Sequence, residues 1–138
     1  MNYRIIIKVI GYILMIESLL LLPSFLIELY TGEGNAGAFA ITILLTLFLG
    51  FLLSRIKKGN STISIREGLT IVSLSWICIS LFGAIPLYLT ETTQTLVDGF
   101  FEMVSCFTAT GATIIPDIES LSYGILFWRS FTQWIGGM

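Results

Sequence analysis

Apolar residues in this chain run in long, charge-poor blocks, and the lengths of those blocks set the expected architecture. The first block follows Arg4 and Lys8 and runs from Val9 to Leu29, interrupted at Glu17. A signal peptide would show a shorter apolar region and a small-residue cleavage site. This run is longer and ends in Pro23, Glu28 and Tyr30, so it predicts a spanning helix over about residues 4–30. A turn-rich polar stretch from Tyr30 to Gly37 follows. The chain is then free of charge from Gly34 to Ser54, which predicts a second span. A third is charge-free from Gly68 to Thr90, and Pro86 is placed to bend or end it. Ahead of it, Ser64-Ile65-Arg66-Glu67 has the spacing of a capping box.

The next apolar block, Leu96 to Cys106, holds about a dozen residues, where a span needs roughly 20. It is rich in Phe, Met and Val and lies between long apolar stretches. It therefore predicts a short helix that enters the membrane and returns through an irregular loop. Thr95 can cap this helix, and Asp98 sits in its first turn, at the positive end of the dipole. The loop, Phe107-Thr108-Ala109-Thr110-Gly111-Ala112-Thr113, consists largely of threonine and small residues. Irregular backbone at membrane depth is tolerated only where protein buries it or where it lines a water-filled cavity. Such a loop suggests carbonyls facing a dehydrated cation, helped by the negative end of the short helix. A last apolar helix is expected from Leu121, carrying Trp128, Arg129 and Trp134. It stops at Gly136-Gly137-Met138 with no basic stop sequence, short of the roughly 20 residues of a full span, and reads as cut off.

Charge adds orientation. Arg4, Lys8, Arg55, Lys57, Lys58 and Arg66 fall at the N-terminus or, with Gly59 and Asn60, in the loop between the second and third spans. The opposite loops carry Glu28, Glu33, Glu91 and Asp98 without Lys or Arg. The positive-inside rule then puts the N-terminus in the cytoplasm, with Tyr30, Tyr88 and the re-entrant loop facing outside. Pro116, Asp117 and Glu119 would form an acidic mouth there, either a modest cation attractor or simply a solvated turn. Glu17 is either a functional intramembrane carboxyl or one that bonds a neighbouring helix or stays protonated.

Composition narrows the function classes. Of 138 residues, 55% are hydrophobic and 12% charged, against about 25% charged in soluble domains. Mean hydropathy is +0.91. With no histidine, His-dependent nucleophilic catalysis and His-ligated metal sites are excluded. Cys78 and Cys106 lie within apolar segments and read as small buried hydrophobes. There is no basic patch for nucleic acid and no phosphate-binding Gly-Lys-Ser/Thr loop. The acidic residues are scattered over different segments, so spacing yields no acid–base pair. The expectation is an all-α, multi-pass membrane protein that is not an enzyme.

The ordered motifs carry a resemblance. Gly83-Ala84-Ile85-Pro86, Asp98-Gly99-Phe100-Phe101-Glu102, the Thr-Ala-Thr-Gly-Ala-Thr loop, Trp128-Arg129 and Gln133-Trp134-Ile135-Gly136-Gly137-Met138 follow one another from about Arg66 onward. In this order they resemble the Trk/Ktr-type potassium uptake proteins, and the TrkH-like branch in particular. The resemblance implies a two-helix hairpin over residues 1–60 and one of four helix–pore loop–helix repeats over 61–138, incomplete at its end. It implies that Thr108, Ala109, Thr110, Gly111 and Ala112 contribute one quarter of a selectivity filter, with K⁺ held by backbone carbonyls of Thr110 and Gly111. Glu102 and Arg129 occupy positions that look like filter supports; for Arg129 the alternative is snorkelling to the outer interface. K⁺ would be the transported ion, passively or in symport, with no organic cofactor. Further implied are a bacterial plasma-membrane location amid lipid, a homodimer, and a cytoplasmic nucleotide-binding regulatory subunit. The missing repeats would come from the same longer chain or from other copies. The rival from another class is a non-conducting helical membrane protein that binds another membrane protein.

Overall fold

The computed structural model describes residues 3–57 and 63–138, and all regular structure among them is helical. Lys58, Gly59 and Asn60 of the basic loop, and the boundary expected at residues 60 and 61, lie outside the described residues. The first apolar block is two helices, α1 (Tyr3–Leu20) and α2 (Leu22–Thr31), rather than one. Pro23 is the cause: it has no N–H to continue the ladder, so the helix restarts around it at Leu21. The break is slight, and Tyr3–Thr31 still forms a single stretch long and apolar enough to cross a membrane. Gly32 closes α2 in the left-handed conformation at φ 67°, its N–H donating to the Glu28 carbonyl.

Helix α3 (Ala36–Ser54) returns against α1. The two approach backbone to backbone where Gly11 faces Gly50: a Cβ on Gly50 would lie 2.8 Å from the Gly11 carbonyl oxygen. Small residues that let helices touch this closely are the usual device in lipid, where no hydrophobic force draws helices together. The buried stripe of α3 is Phe39, Thr42, Thr46 and Gly50. Its two threonine hydroxyls donate to carbonyls one turn back, at 2.8 Å each, so no polar group there is left bare.

Helix α4 (Ile65–Gly83) begins with the expected capping box, Ser64 and Glu67 each bonding the other's backbone N–H. It breaks at Ala84, and Pro86 starts the short α5 (Ile85–Leu89). Here the Gly83 carbonyl is taken by the Trp128 indole N–H, 3.1 Å away. Helix α6 (Leu96–Phe107) follows, then an irregular return, then α7 (Tyr123–Gly137). The central core joins Leu21, Phe39, Leu87, Met103, Phe107 and Trp128, while Ile5, Ile6, Ile10 and Leu14 of α1 form a second cluster with Ile71 of α4. Outward faces remain apolar, with Leu44, Phe48 and Leu69 about two-thirds exposed. Three stretches, Tyr3–Thr31, Ala36–Ser54 and Ile65–Leu89, are long and apolar enough to span a membrane.

Replacing Gly50 by valine should destabilise the α1–α3 contact by about 1–3 kcal/mol, the usual cost of overpacking. Unfolding in detergent by added denaturant would read it, with Gly37→Ala, where a Cβ meets nothing within 4 Å, as the silent control.

Candidate functional site

Helix α6 is a twelve-residue helix capped at its start by a reciprocal pair: Thr95 accepts from the Asp98 N–H, and Asp98 accepts from the Thr95 N–H. Asp98 thus does more than meet the dipole. One face of the helix is wholly buried, including Glu102 and Met103 at 0% exposure. Its C-terminus opens directly into the Thr-Ala-Thr-Gly-Ala-Thr loop.

That loop is tied from behind and open in front. The N–H groups of Thr108, Ala109 and Thr110 donate back to the Val104, Cys106 and Ser105 carbonyls, at 2.9, 3.0 and 2.9 Å. The Thr108 hydroxyl bonds the Val104 carbonyl at 2.7 Å and pairs with the Thr110 hydroxyl, also at 2.7 Å. Among the described residues, no donor takes the backbone carbonyls of Thr108, Ala109, Thr110 or Gly111. The Ala112 carbonyl differs, accepting from the Ser105 hydroxyl at 2.6 Å. Gly111 sits at φ 78°, where a Cβ is strained, and Ala109 at φ 53° accepts the left-handed region without being glycine. Residues 108–114 are all exposed in this chain, in contrast to the buried helix behind them.

Behind the loop lies a polar knot. One Glu102 oxygen accepts from the Thr113 hydroxyl at 2.7 Å and from the Ile114 N–H. The other accepts from Arg129 of α7 at 3.0 Å, and the same guanidinium nitrogen reaches Thr113 at 3.4 Å. Arg129 points inward to this carboxylate, with its side chain 13% exposed, rather than out to an interface. A buried carboxylate with two N–H or O–H donors and a cation is one of the few stable ways to keep a charge in a low-dielectric interior. Further along α7, Gly136 lies against the Phe107 backbone so closely that a Cβ would overlap its carbonyl oxygen. Trp128 is fully buried and meets Phe107 edge-on, ring centroids 6.5 Å apart.

Sequence reasoning thus placed Thr108 to Ala112, Glu102 and Arg129 in one region, and the structure brings all of them together. It did not single out Ser105, and it quoted Thr113 and Gly136 only within motifs, without the contacts by which all three do the tying. The hydroxyls carried a signal, since Ser105 precedes the loop within a buried helix. Glu17, by contrast, makes no hydrogen bond to the loop among the described residues. It is 2% exposed, against Gly83 of α4, and neither carboxyl oxygen has a protein partner among the described residues. Glu28 and Glu33, which in the sequence count only as acids on the side opposite the basic loops, bond the first N–H groups of α7, Gly124 at 3.1 Å and Tyr123 at 2.9 Å.

A family model described as TrkH, cation transport protein, matches residues 35–138. An uncharacterized cation transporter of Methanocaldococcus jannaschii is 37% identical over 133 residues, covering 96% of this chain and 28% of the relative. The Trk system potassium uptake protein TrkH of Halomonas elongata is 36% identical over 140 residues, covering all of this chain and 29% of that protein. The crystal structure of the potassium transporter TrkH from Vibrio parahaemolyticus superposes with a TM-score of 0.91 at 33% identity, over 99% of this chain and 30% of that one. The chain therefore spans less than a third of the length of the relatives it matches.

Arg129→Met should cost about 3–5 kcal/mol, because it leaves a buried carboxylate without its cation. Combining it with Glu102→Gln should return part of that loss, and thermal unfolding of both purified variants would measure the difference. Additive losses would show that the two side chains do not act as a pair.

Proposed function

The chain belongs to the TrkH family of cation transport proteins, and we propose that it supplies one wall of a potassium-uptake pathway across the cell membrane. One observation carries this reading. Three loop N–H groups are anchored to α6 while four consecutive carbonyls, Thr108 to Gly111, stay free on the exposed side. Buried or membrane-embedded backbone normally satisfies its polar groups. Carbonyls left free in a row are what replaces the hydration shell of a cation that has shed its water. Thr110 and Gly111 are the assigned K⁺ ligands, by backbone carbonyl. Ala112, bonded by Ser105, serves the filter as an anchor. Glu102 and Arg129 hold the loop's shape from behind.

One such loop covers only one side of an ion. The other sides come from further repeats, in the same longer chain or in other copies, which accords with the length of the relatives. By the positive-inside rule the N-terminus is cytoplasmic, so α6 enters from outside and its C-terminus points into the membrane, where its partial negative charge favours a cation. Dimerisation, a cytoplasmic nucleotide-binding regulator and coupling to a second ion belong to this proposal through the family resemblance. No step alters a chemical bond of the cargo, which is the ion itself.

The test is growth at limiting potassium of a host lacking its own uptake systems, expressing the protein from its complete reading frame. The parent should rescue growth and Gly111→Val should not. The strain of a β-branched residue at positive φ, about 1–3 kcal/mol, would distort the loop while insertion continues. Equal rescue by both, at equal membrane levels, would defeat the assignment of Gly111. Glu17→Gln should rescue as the parent does, since among the described residues Glu17 makes no hydrogen bond to the loop; loss of rescue would give that carboxyl a part in transport.

A further inference from the structure

The tie between α2 and the start of α7 involves residues to which the filter reading gives no part. Glu28 is fully buried, and among the described residues it has no salt-bridge partner. Its carboxyl group meets the N-terminus of α7 instead, one oxygen accepting from the Gly124 N–H at 3.1 Å and the other without a partner among the described residues. Glu33 adds a second bond, from the Tyr123 N–H at 2.9 Å. The first N–H groups of a helix have no partner within it, and a carboxylate there also gains from the helix dipole. Ser122 stands at the N-cap but makes no cap bond, so residues 96 and 90 positions away supply what the local sequence does not. Gly124 completes the fit, because a Cβ there would overlap the Glu28 side chain.

Helix α7 is thus held at three levels: at its start by Glu28, in its middle by Glu102, and near its end where Gly136 meets Phe107. A helix rises about 1.5 Å per residue, so a slip of one residue would break the 3.0 Å bond between Arg129 and Glu102. We propose that Glu28, seated on Gly124, is a positioning residue for the filter loop. Its carboxylate fixes the axial register of α7, and through it the seat of Arg129 on Glu102 behind Thr113. The N-terminal helices then take part in ion discrimination. This inference rests on the filter reading above.

The experiment compares Rb⁺ and Na⁺ uptake by the protein from its complete reading frame, reconstituted in lipid vesicles, with Glu28→Gln, Glu28→Leu, Gly124→Ala and Gly111→Val beside the parent. Glutamine keeps an oxygen that can accept the Gly124 N–H, so its Rb⁺/Na⁺ ratio should stay near the parental one. Leucine at 28 and alanine at 124 should each lower the ratio about tenfold. A parental ratio in Glu28→Leu overturns the inference, as does an equal loss in Gln and Leu, which would assign the effect to charge rather than register. Should Glu28→Leu fail to accumulate, Gly124→Ala decides: a parental ratio overturns the inference and the tenfold fall upholds it. A parent without Rb⁺ uptake, or one matched by Gly111→Val, defeats the filter reading itself. A selective, Gly111-sensitive parent with Glu28 and Gly124 variants unchanged defeats only the role of Glu28.

Discussion

Everything on the open side of the loop depends on one buried charge behind it. Glu102 collects the Thr113 hydroxyl, the Ile114 N–H and the Arg129 guanidinium at a single carboxylate. Those donors come from two segments: the returning half of the loop and the helix that follows it. Drawing them to one point turns an irregular stretch of backbone into a fixed shape without any regular ladder. The cost of burying a carboxylate is offset only while all its partners are in place. The geometry is consequently all-or-none, which suits the role proposed for the loop's carbonyls.

The rest of the fold handles the same constraint, that no water is at hand to satisfy stray polar groups. Thr42 and Thr46 turn their hydroxyls onto their own helix. At the Ala84 break, where Pro86 interrupts the ladder, the carbonyl of Gly83 goes to Trp128. The start of α7 borrows two carboxylates from α2 and the turn after it. At the Ala84 break and at the start of α7 the partner is a side chain from elsewhere in the chain, and these bonds also bind the helices to one another.

Local signals in the sequence were faithful where the physics is local. The block lengths matched the three stretches long enough to span, Ser64 and Glu67 formed the expected capping box, and Thr95 marked the start of α6. A twelve-residue apolar block between longer ones was enough to expect a helix too short to span. Long-range pairings were a different matter. Glu28 and Glu33 serve in the sequence only to set orientation, because nothing near them reveals that α7 begins beside them in space. Gly136 is only one residue of the closing motif until the Phe107 backbone is found against it. For Glu102 and Arg129, 27 residues apart, spacing alone would not have made a pair; the ordered family motifs supplied that hint.

The same separation has a consequence for how the chain is made. Synthesis proceeds from the N-terminus, so Glu102 leaves the ribosome 27 residues ahead of its cation. At about 5–20 residues per second that is a gap of roughly one to five seconds. During it, α6 is too short to cross the bilayer and carries a carboxylate it cannot leave in lipid. Glu28 waits longer still, 96 residues, for the amide of Gly124. On the proposed pore reading, the nascent α6 segment has to be sheltered, at the membrane surface or inside the insertion machinery, until α7 emerges, so its docking would follow the insertion of the helices around it.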